Sequence, residues 1–232
     1  MTGLDYALFD QRGYPTLPVT EGYGAWAPTY ESVVQDEMDL RLLERLGGVD
    51  WTGPRVLDLA CGTGRIGAWL RGRGVKSLTG VDFTPGMLEG ARAKRVYDAL
   101  RLASVTDTRL AGASYDLIVQ SLADEHLPDL APLYAEAARL AAPGGSFVLV
   151  GYHPHFLMSG IPTHFNGPDG NPVAVESYVH LTSGHITAGL AAGWRLAAMD
   201  EGLVDDAWIA KKPKWERLRH HPVSFLLHWR RG

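Results

Sequence analysis

The spacing of apolar residues along the chain predicts an α/β protein. Short, nearly continuous apolar runs predict buried strands, and the segments between them carry apolar residues at the spacing of one helix face. Strands that alternate with helices form a mostly parallel sheet with right-handed crossovers. The clearest predicted strands lie at 55–60, 77–83, 115–120 and 146–152.

The alternation ends after Tyr152. We predict a hairpin around 167–170, whose Gly-Pro-Asp-Gly sequence is typical of a turn, and then a helix that Thr182 or Ser183 caps. Two strands close the chain, and the segment between them is too short for a helical crossover, so we expect them to pair antiparallel. The second of these strands is apolar on both sides, which predicts that it is covered on both faces.

A glycine turn follows the first predicted strand. Residues 62–67 spell G-x-G-x-x-G, and Asp82 ends the next strand about 20 residues later, where a carboxylate can bind ribose hydroxyls. This pattern fits a nicotinamide dinucleotide or S-adenosylmethionine. Asp58 favours the second, because a carboxylate repels a pyrophosphate and attracts the ammonium and the sulfonium of S-adenosylmethionine.

From these residues onward the chain resembles the class I S-adenosylmethionine-dependent methyltransferases, in particular the small-molecule group called methyltransferase type 11. Asp58, Ala60, Gly62 and Gly64 match the first motif of the family, with alanine in place of its first glycine. The resemblance continues through GVDFTPGMLEGARAK, SYDLIVQSLADEHL and AARLAAPGGSFVLV, and covers about 23–151 well. It implies a Rossmann-like, seven-stranded, mostly parallel sheet with a terminal antiparallel strand and helices on both faces.

The resemblance also implies the cofactor S-adenosylmethionine, with S-adenosylhomocysteine as its product, and a set of residues that contact it. Ser104 stands where the family often has an aspartate that accepts a hydrogen bond from adenine, so we expect either a weaker contact there or a contact from Asp107. The expected cofactor-binding residues are Tyr30, Asp58, Ala60, Cys61, Gly62, Thr63, Gly64, Asp82, Phe83, Thr84, Met87, Ser104, Val105, Thr106, Gln120 and Ser121.

One methyltransferase domain is expected over 1–232. Its parts are an N-terminal helical lid over 1–50, with a helix at 31–46, a cofactor-binding core over 51–151, and a substrate loop with hairpin and terminal strands over 152–232. Packing of an ordinary N-terminal helix explains the aromatic residues of the lid equally well.

Histidines are concentrated on loops that follow the strands, where ligands of an open α/β sheet bind. A hydroxyl acceptor needs a general base, and an imidazole is suited to that at neutral pH. The candidate catalytic residues are His126, His153 and His155. The candidate substrate-binding residues are Tyr23, Trp26, His126, Tyr152, His153, His164 and Tyr178.

Composition restricts the remaining classes of function. The formal net charge is −4, which argues against a nucleic-acid partner, and the basic stretch KKPKWERLRHHP is predicted to be a solvated connection. Cys61 is the single cysteine, the N-terminal sequence is not a secretory signal, and apolar runs are too short for a membrane span. We expect a cytoplasmic monomer or homodimer without a metal.

The leading hypothesis is methylation of an oxygen or nitrogen atom of a small molecule. A second hypothesis keeps the fold and the cofactor but assigns another reaction or a sensing role, because fold does not fix function. The third, a nucleic-acid methyltransferase, requires a basic groove and a flipped base.

Overall fold

The computed structural model describes residues 2–34, 37–52 and 55–232. Its strands are β1 (Leu4–Asp5), β2 (Thr16–Leu17), β3 (Val56–Leu59), β4 (Leu78–Asp82), β5 (Ala99–Leu102), β6 (Tyr115–Ser121), β7 (Ala141–Tyr152), β8 (His164–Asn166), β9 (Pro172–Val175), β10 (Tyr178–Val179), β11 (Trp194–Leu203) and β12 (Pro222–Arg231). Its α-helices are α1 (Val19–Trp26), α2 (Tyr30–Val33), α3 (Met38–Arg45), α4 (Arg65–Gly72), α5 (Pro85–Lys94), α6 (Ala131–Leu140), α7 (Pro154–Met158), α8 (Thr182–Ala191) and α9 (Asp206–Lys211).

Within the described ranges, seven strands form the central sheet in the order β11-β12-β7-β6-β3-β4-β5. The five strands from β7 to β5 run parallel, and β12 runs antiparallel to β7 on one side and to β11 on the other. The predicted sheet, its antiparallel terminal strand and the hairpin formed by β8 and β9 are therefore confirmed.

Apolar side chains cover both faces of the sheet. Along β3, Leu57 and Leu59 belong to the core under α6 and α8, whereas Val56 points to the core under α3 and α4. Along β12, Phe225 lies in the first core and Leu226 in the second, and both are fully buried. This period of two explains why an all-apolar segment forms a central strand.

The helix expected over 31–46 is not one helix. α2 ends at Val33, because Val34 adopts an extended conformation, and α3 begins at Met38; residues 35–36 lie outside the described part of the chain. The cap expected at Thr182 or Ser183 is also wrong. The residue before α8 is Leu181, and no side chain forms a hydrogen bond to the first turn.

Two small sheets join the first residues of the chain to the segment after β7. β1 pairs with β10, and β2 pairs with β9 of the hairpin. Besides helices, the N-terminal segment therefore contributes strands that fix α1 beside the hairpin. No helix in the described ranges has the length and apolarity to cross a membrane.

Candidate functional site

The loop between β3 and α4 is shaped by left-handed backbone conformations. Ala60, Gly62 and Gly64 have φ angles of 56°, 54° and 89°. The alanine that replaces the family's first glycine therefore occupies a position at which a side chain costs about 1–2 kcal/mol. Asp82 holds this loop from the end of β4, because its carboxylate accepts hydrogen bonds from the Gly62 N–H at 2.9 Å and the Thr84 N–H at 2.8 Å.

A cavity of about 200 Å³ lies above this loop, at the carboxyl ends of β3, β4 and β6. Twelve of the sixteen expected cofactor-binding residues line it: Tyr30, Ala60, Cys61, Gly62, Thr63, Asp82, Phe83, Thr84, Met87, Ser104, Val105 and Ser121. The local sequence order explains this for all of them except Tyr30, since the others end or follow parallel strands whose carboxyl ends share one edge.

The other four expected residues do not line the cavity and contact neighbouring protein groups instead. Asp58 is buried and accepts a hydrogen bond from the Tyr97 hydroxyl at 2.7 Å. A side chain at Gly64 would also meet the Tyr97 ring, at 3.0 Å, and would not enter the cavity. The Thr106 and Ser104 hydroxyls lie 2.7 Å apart, and the Gln120 amide oxygen accepts from the Ala123 and Asp124 N–H groups.

Burial controls the charge of both carboxyls near the loop. Desolvation raises the pKa of Asp58 to about 7, although the hydrogen bond from Tyr97 opposes that shift. Desolvation also raises the pKa of Asp82, against the hydrogen bonds donated by Thr84 and Gly62. A cation placed in the cavity would lower both pKa values, because it stabilises the ionised form.

Helices α1 and α2 lie over the cavity. The Thr63 hydroxyl donates a hydrogen bond to the Glu31 carboxylate, and Lys94 pairs with the same carboxylate at 2.7 Å. Glu31 thereby connects α2 to the glycine loop and to α5. Trp26 of α1 stacks on Phe165 of the hairpin, with ring centroids 5.2 Å apart. The N-terminal segment is thus anchored on both sides of the cavity.

A buried ion pair that the sequence alone does not predict lies beside the cavity. The Arg65 guanidinium lines the cavity and donates two hydrogen bonds to Asp39, which is fully buried and also accepts from the Ser121 hydroxyl at 2.6 Å. Asp39 lies 26 residues before Arg65, on α3, so only the tertiary fold pairs them. The sequence signal was a charged residue on the apolar face of a predicted helix.

A second cavity, of about 520 Å³, adjoins the first. Both are lined by Tyr23, Tyr30 and Leu122. Of the expected substrate-binding residues, Tyr23, Trp26, Tyr152 and His164 line the second cavity and His126 lines the first, whereas His153 and Tyr178 line neither. The shared residues define the place at which ligands in the two cavities would meet.

His126 lines the first cavity, contacts Tyr23 of this junction and has a defined tautomer. Its Nδ1 is 2.7 Å from the carbonyl oxygen of Glu176, which can only accept, so Nδ1 carries the proton. Nε2 is then free to accept a hydrogen bond from the Tyr23 hydroxyl at 2.8 Å. Burial lowers the pKa of His126, so the imidazole is neutral at pH 7 and can take up a proton.

Glu125 lies next to His126 and lines the second cavity. It is 1% exposed, and neither of its carboxyl oxygens forms a hydrogen bond in the described part of the chain. Burial, together with the charge of Asp124, raises the pKa of Glu125 well above its ordinary value. Its Oε1 lies 3.5 Å from His126 Nε2, and a buried polar group without a hydrogen bond is costly, which is typical of a residue that meets a ligand.

His153 and His155 lie away from the junction. His153 Nε2 is 3.1 Å from a Glu201 carboxyl oxygen, and His155 Nε2 is 3.4 Å from His221 Nδ1. Pro154 begins α7 between them and directs the chain toward β12. Among the described residues, no group of three or more His, Cys, Asp or Glu side chains could hold a metal ion.

Comparison with known proteins gives a consistent result. Residues 57–149 match the family model described as a methyltransferase domain. The malonyl-[acyl-carrier protein] O-methyltransferase of Serratia marcescens is 32% identical over 129 residues, which are 55% of this chain and 49% of that protein. The trans-aconitate 2-methyltransferase of Methylobacterium radiotolerans is 35% identical over 141 residues, which are 60% of this chain and 52% of that protein.

This chain therefore spans about half the length of these relatives. The fold is shared more widely. The crystal structure of an S-adenosylmethionine-dependent methyltransferase from Mesorhizobium loti superposes with a TM-score of 0.66 at 22% identity, covering 91% of this chain and all of that one. Residues 57–149 thus match a methyltransferase domain, and the chain has the fold of the Mesorhizobium loti S-adenosylmethionine-dependent methyltransferase.

Proposed function

We propose that this chain transfers a methyl group from S-adenosylmethionine, bound in the first cavity, to an oxygen atom of a small molecule bound in the second. The observation that carries the proposal is the junction of the two cavities at Tyr23, Tyr30 and Leu122. Methyl transfer requires donor and acceptor to meet in line with water excluded, and two adjoining cavities under one lid provide that alignment.

The residues of the first cavity suit the cofactor. The Asp82 oxygens each accept one backbone hydrogen bond and retain a lone pair for the ribose hydroxyls. Phe83 and Met87 line the side where adenine is expected, with Ser104 and Val105 beyond them. Asp58 is one layer below the loop and favours a cation above it through its charge. When bound, S-adenosylmethionine supplies a methyl group that is already activated.

His126 is the general base in this proposal. A hydroxyl acceptor must lose its proton as the methyl group arrives, and neutral Nε2 is the only ring nitrogen of His126 that can accept it. Tyr23 donates to the same nitrogen and lines both cavities, so the Tyr23 hydroxyl would take the proton of the acceptor as it gives its own proton to Nε2. The name of the Serratia relative, an O-methyltransferase, supports an oxygen acceptor. His153 and His155 line neither cavity and are not assigned a catalytic role.

Incubation of the protein with S-adenosylmethionine carrying a tritiated methyl group and with a small-molecule extract tests the proposal. We expect the label in compounds of low mass, together with one equivalent of S-adenosylhomocysteine per methyl group. Chemical conversion of a compound without S-adenosylhomocysteine release would indicate another reaction on the same fold. Label in RNA or DNA would indicate a nucleic-acid substrate, and label on nitrogen would overturn the choice of oxygen.

A further inference from the structure

The second cavity has an uneven distribution of charge. Its described lining includes four basic side chains, Arg12, Lys212, Lys214 and Arg217, and one carboxyl, that of Glu125. The basic residues come from two distant segments, the loop before β2 and the turn after α9, which the fold brings to one rim. The whole chain has a net charge of −4, so this concentration of positive charge does not follow from composition.

Within the described part of the chain, three of the four basic residues have no acidic partner. Arg12, Lys214 and Arg217 are exposed and form no ion pair in the part of the chain that the structure describes. Arg219, only two residues beyond Arg217, pairs with both Glu216 and Asp206. Acidic residues are therefore present in this turn but are directed to Arg219. A rim of one sign of charge attracts ligands of the opposite sign.

The walls below the rim are apolar and aromatic. Phe156 stacks on Trp215 with ring centroids 5.3 Å apart, and Trp26 and Tyr152 line the same cavity. Flat aromatic side chains bind an apolar body with little loss of conformational entropy. The carboxyl of Glu125 is buried, which raises its pKa and disfavours its ionised form, so it repels an anion less than an exposed carboxylate would.

We propose that the second cavity selects a small organic anion, with its anionic group at Arg12, Lys214 and Arg217 and its apolar body along Phe156 and Trp215. This inference rests on the proposed function, because it names the class of acceptor for that site. The anionic group at the rim leaves the opposite end of the molecule near Tyr23, where the methyl group arrives. A cationic amine would be repelled from the same rim.

Two fluorescent probes that differ only in charge test this inference. Anilinonaphthalene sulfonate carries an aromatic body and one sulfonate, and N-phenylnaphthylamine is the same body without it. Each is titrated into the protein saturated with S-adenosylhomocysteine, and into the Lys214→Ala/Arg217→Ala variant. The matched control is Lys76→Ala/Arg101→Ala, which removes the same charge from two exposed residues outside both cavities.

We expect the sulfonate to bind at least tenfold more tightly than the neutral compound at low salt. The rim variant should weaken sulfonate binding about five- to tenfold, and the neutral compound should be affected less than twofold. The sulfonate affinity should also fall as salt is raised, since exposed charges are screened. The control variant should bind both compounds like the unmodified protein.

Equal affinity for the two compounds would overturn the inference, as would equal losses in the rim and control variants, or no binding of the sulfonate at millimolar concentration. Titration of S-adenosylhomocysteine into the same samples separates the two proposals. If it binds while the charge preference is missing, the anion inference fails and the proposed function stands. If it does not bind the unmodified protein, the proposed function itself fails.

Discussion

Replacement of Asp82 by asparagine should separate cofactor binding from folding. The two carboxylate oxygens accept from the Gly62 and Thr84 N–H groups, and asparagine offers one oxygen for these two donors. The NH₂ group of asparagine is only a donor, so it cannot accept a hydrogen bond from a ribose hydroxyl as a carboxylate oxygen does. One lost charge-assisted hydrogen bond costs about 1.5–3 kcal/mol. S-adenosylhomocysteine should therefore bind about 10- to 100-fold more weakly.

The same substitution should leave the fold nearly as stable. Burial raises the pKa of Asp82, so the ionised carboxyl destabilises the folded protein at pH 7, and asparagine removes that cost while it loses one backbone acceptor. These effects oppose each other, and we expect the free energy of unfolding to change by no more than about 2 kcal/mol.

The assay is calorimetric titration with S-adenosylhomocysteine, with urea unfolding followed by circular dichroism on the same samples. The matched control is Asp116→Asn, because Asp116 pairs with Arg55 at the amino ends of β6 and β3, away from the cavity. Unchanged affinity in the folded Asp82→Asn variant would show that the cofactor is held elsewhere. A loss of equal size in the control variant would show that the effect is not local.

Three further predictions concern the same region. The pKa of Asp58 is raised to about 7, so its contribution to stability is complete below the unfolded pKa of about 3.9 and is lost as the pH rises to 7. Between pH 5 and pH 8, the free energy of unfolding of Asp58→Asn, measured with urea, should therefore rise by about 2–3 kcal/mol relative to that of the unmodified protein. A constant difference between the two proteins would contradict this. His126→Ala should lower the methyl-transfer rate about 10²- to 10⁴-fold at unchanged S-adenosylhomocysteine affinity. The unmodified enzyme should lose rate only below about pH 6.5, because the lowered pKa of His126 means that its imidazole is protonated only there. Gly64→Ala should lower the free energy of unfolding by at least about 1–2 kcal/mol, because φ is 89° and the new carbon meets Tyr97, whereas Gly72→Ala at the end of the following helix, with open space around it, should not.

Local sequence features were sufficient to predict the sheet and the first cavity. Asp82 and the glycine loop are separated by one helix and one strand, and the period of two along β3 and β12 indicates how deeply these strands are buried. The position of the break after Val33 was not predictable, because the apolar spacing continues across it. β1 and β2 have two residues each and pair with strands more than 150 residues away, which no local periodicity reports.

The second cavity depends on contacts between distant segments. The stretch KKPKWERLRHHP is predicted to be a solvated connection, which fits the exposure of Lys214 and Arg217 but not the stacking of Trp215 on Phe156. The lack of hydrogen bonds to the Glu125 carboxyl could not be predicted either, because it is a property of the fold. His126 was one of several histidine candidates, and its contact with Tyr23 distinguishes it.

The position of Cys61 makes the packing of α5 against the glycine loop observable by chemical labelling. Cys61 is the single cysteine of the chain; it lines the first cavity, is 5% exposed and packs with Leu88 and Ala91 of α5 and with Tyr97. Burial raises the pKa of its thiol, so the thiol resists alkylation while this packing is intact. The rate at which a maleimide reacts with this protein therefore measures how often α5 separates from the glycine loop. A ligand in the first cavity should slow that reaction in proportion to its occupancy.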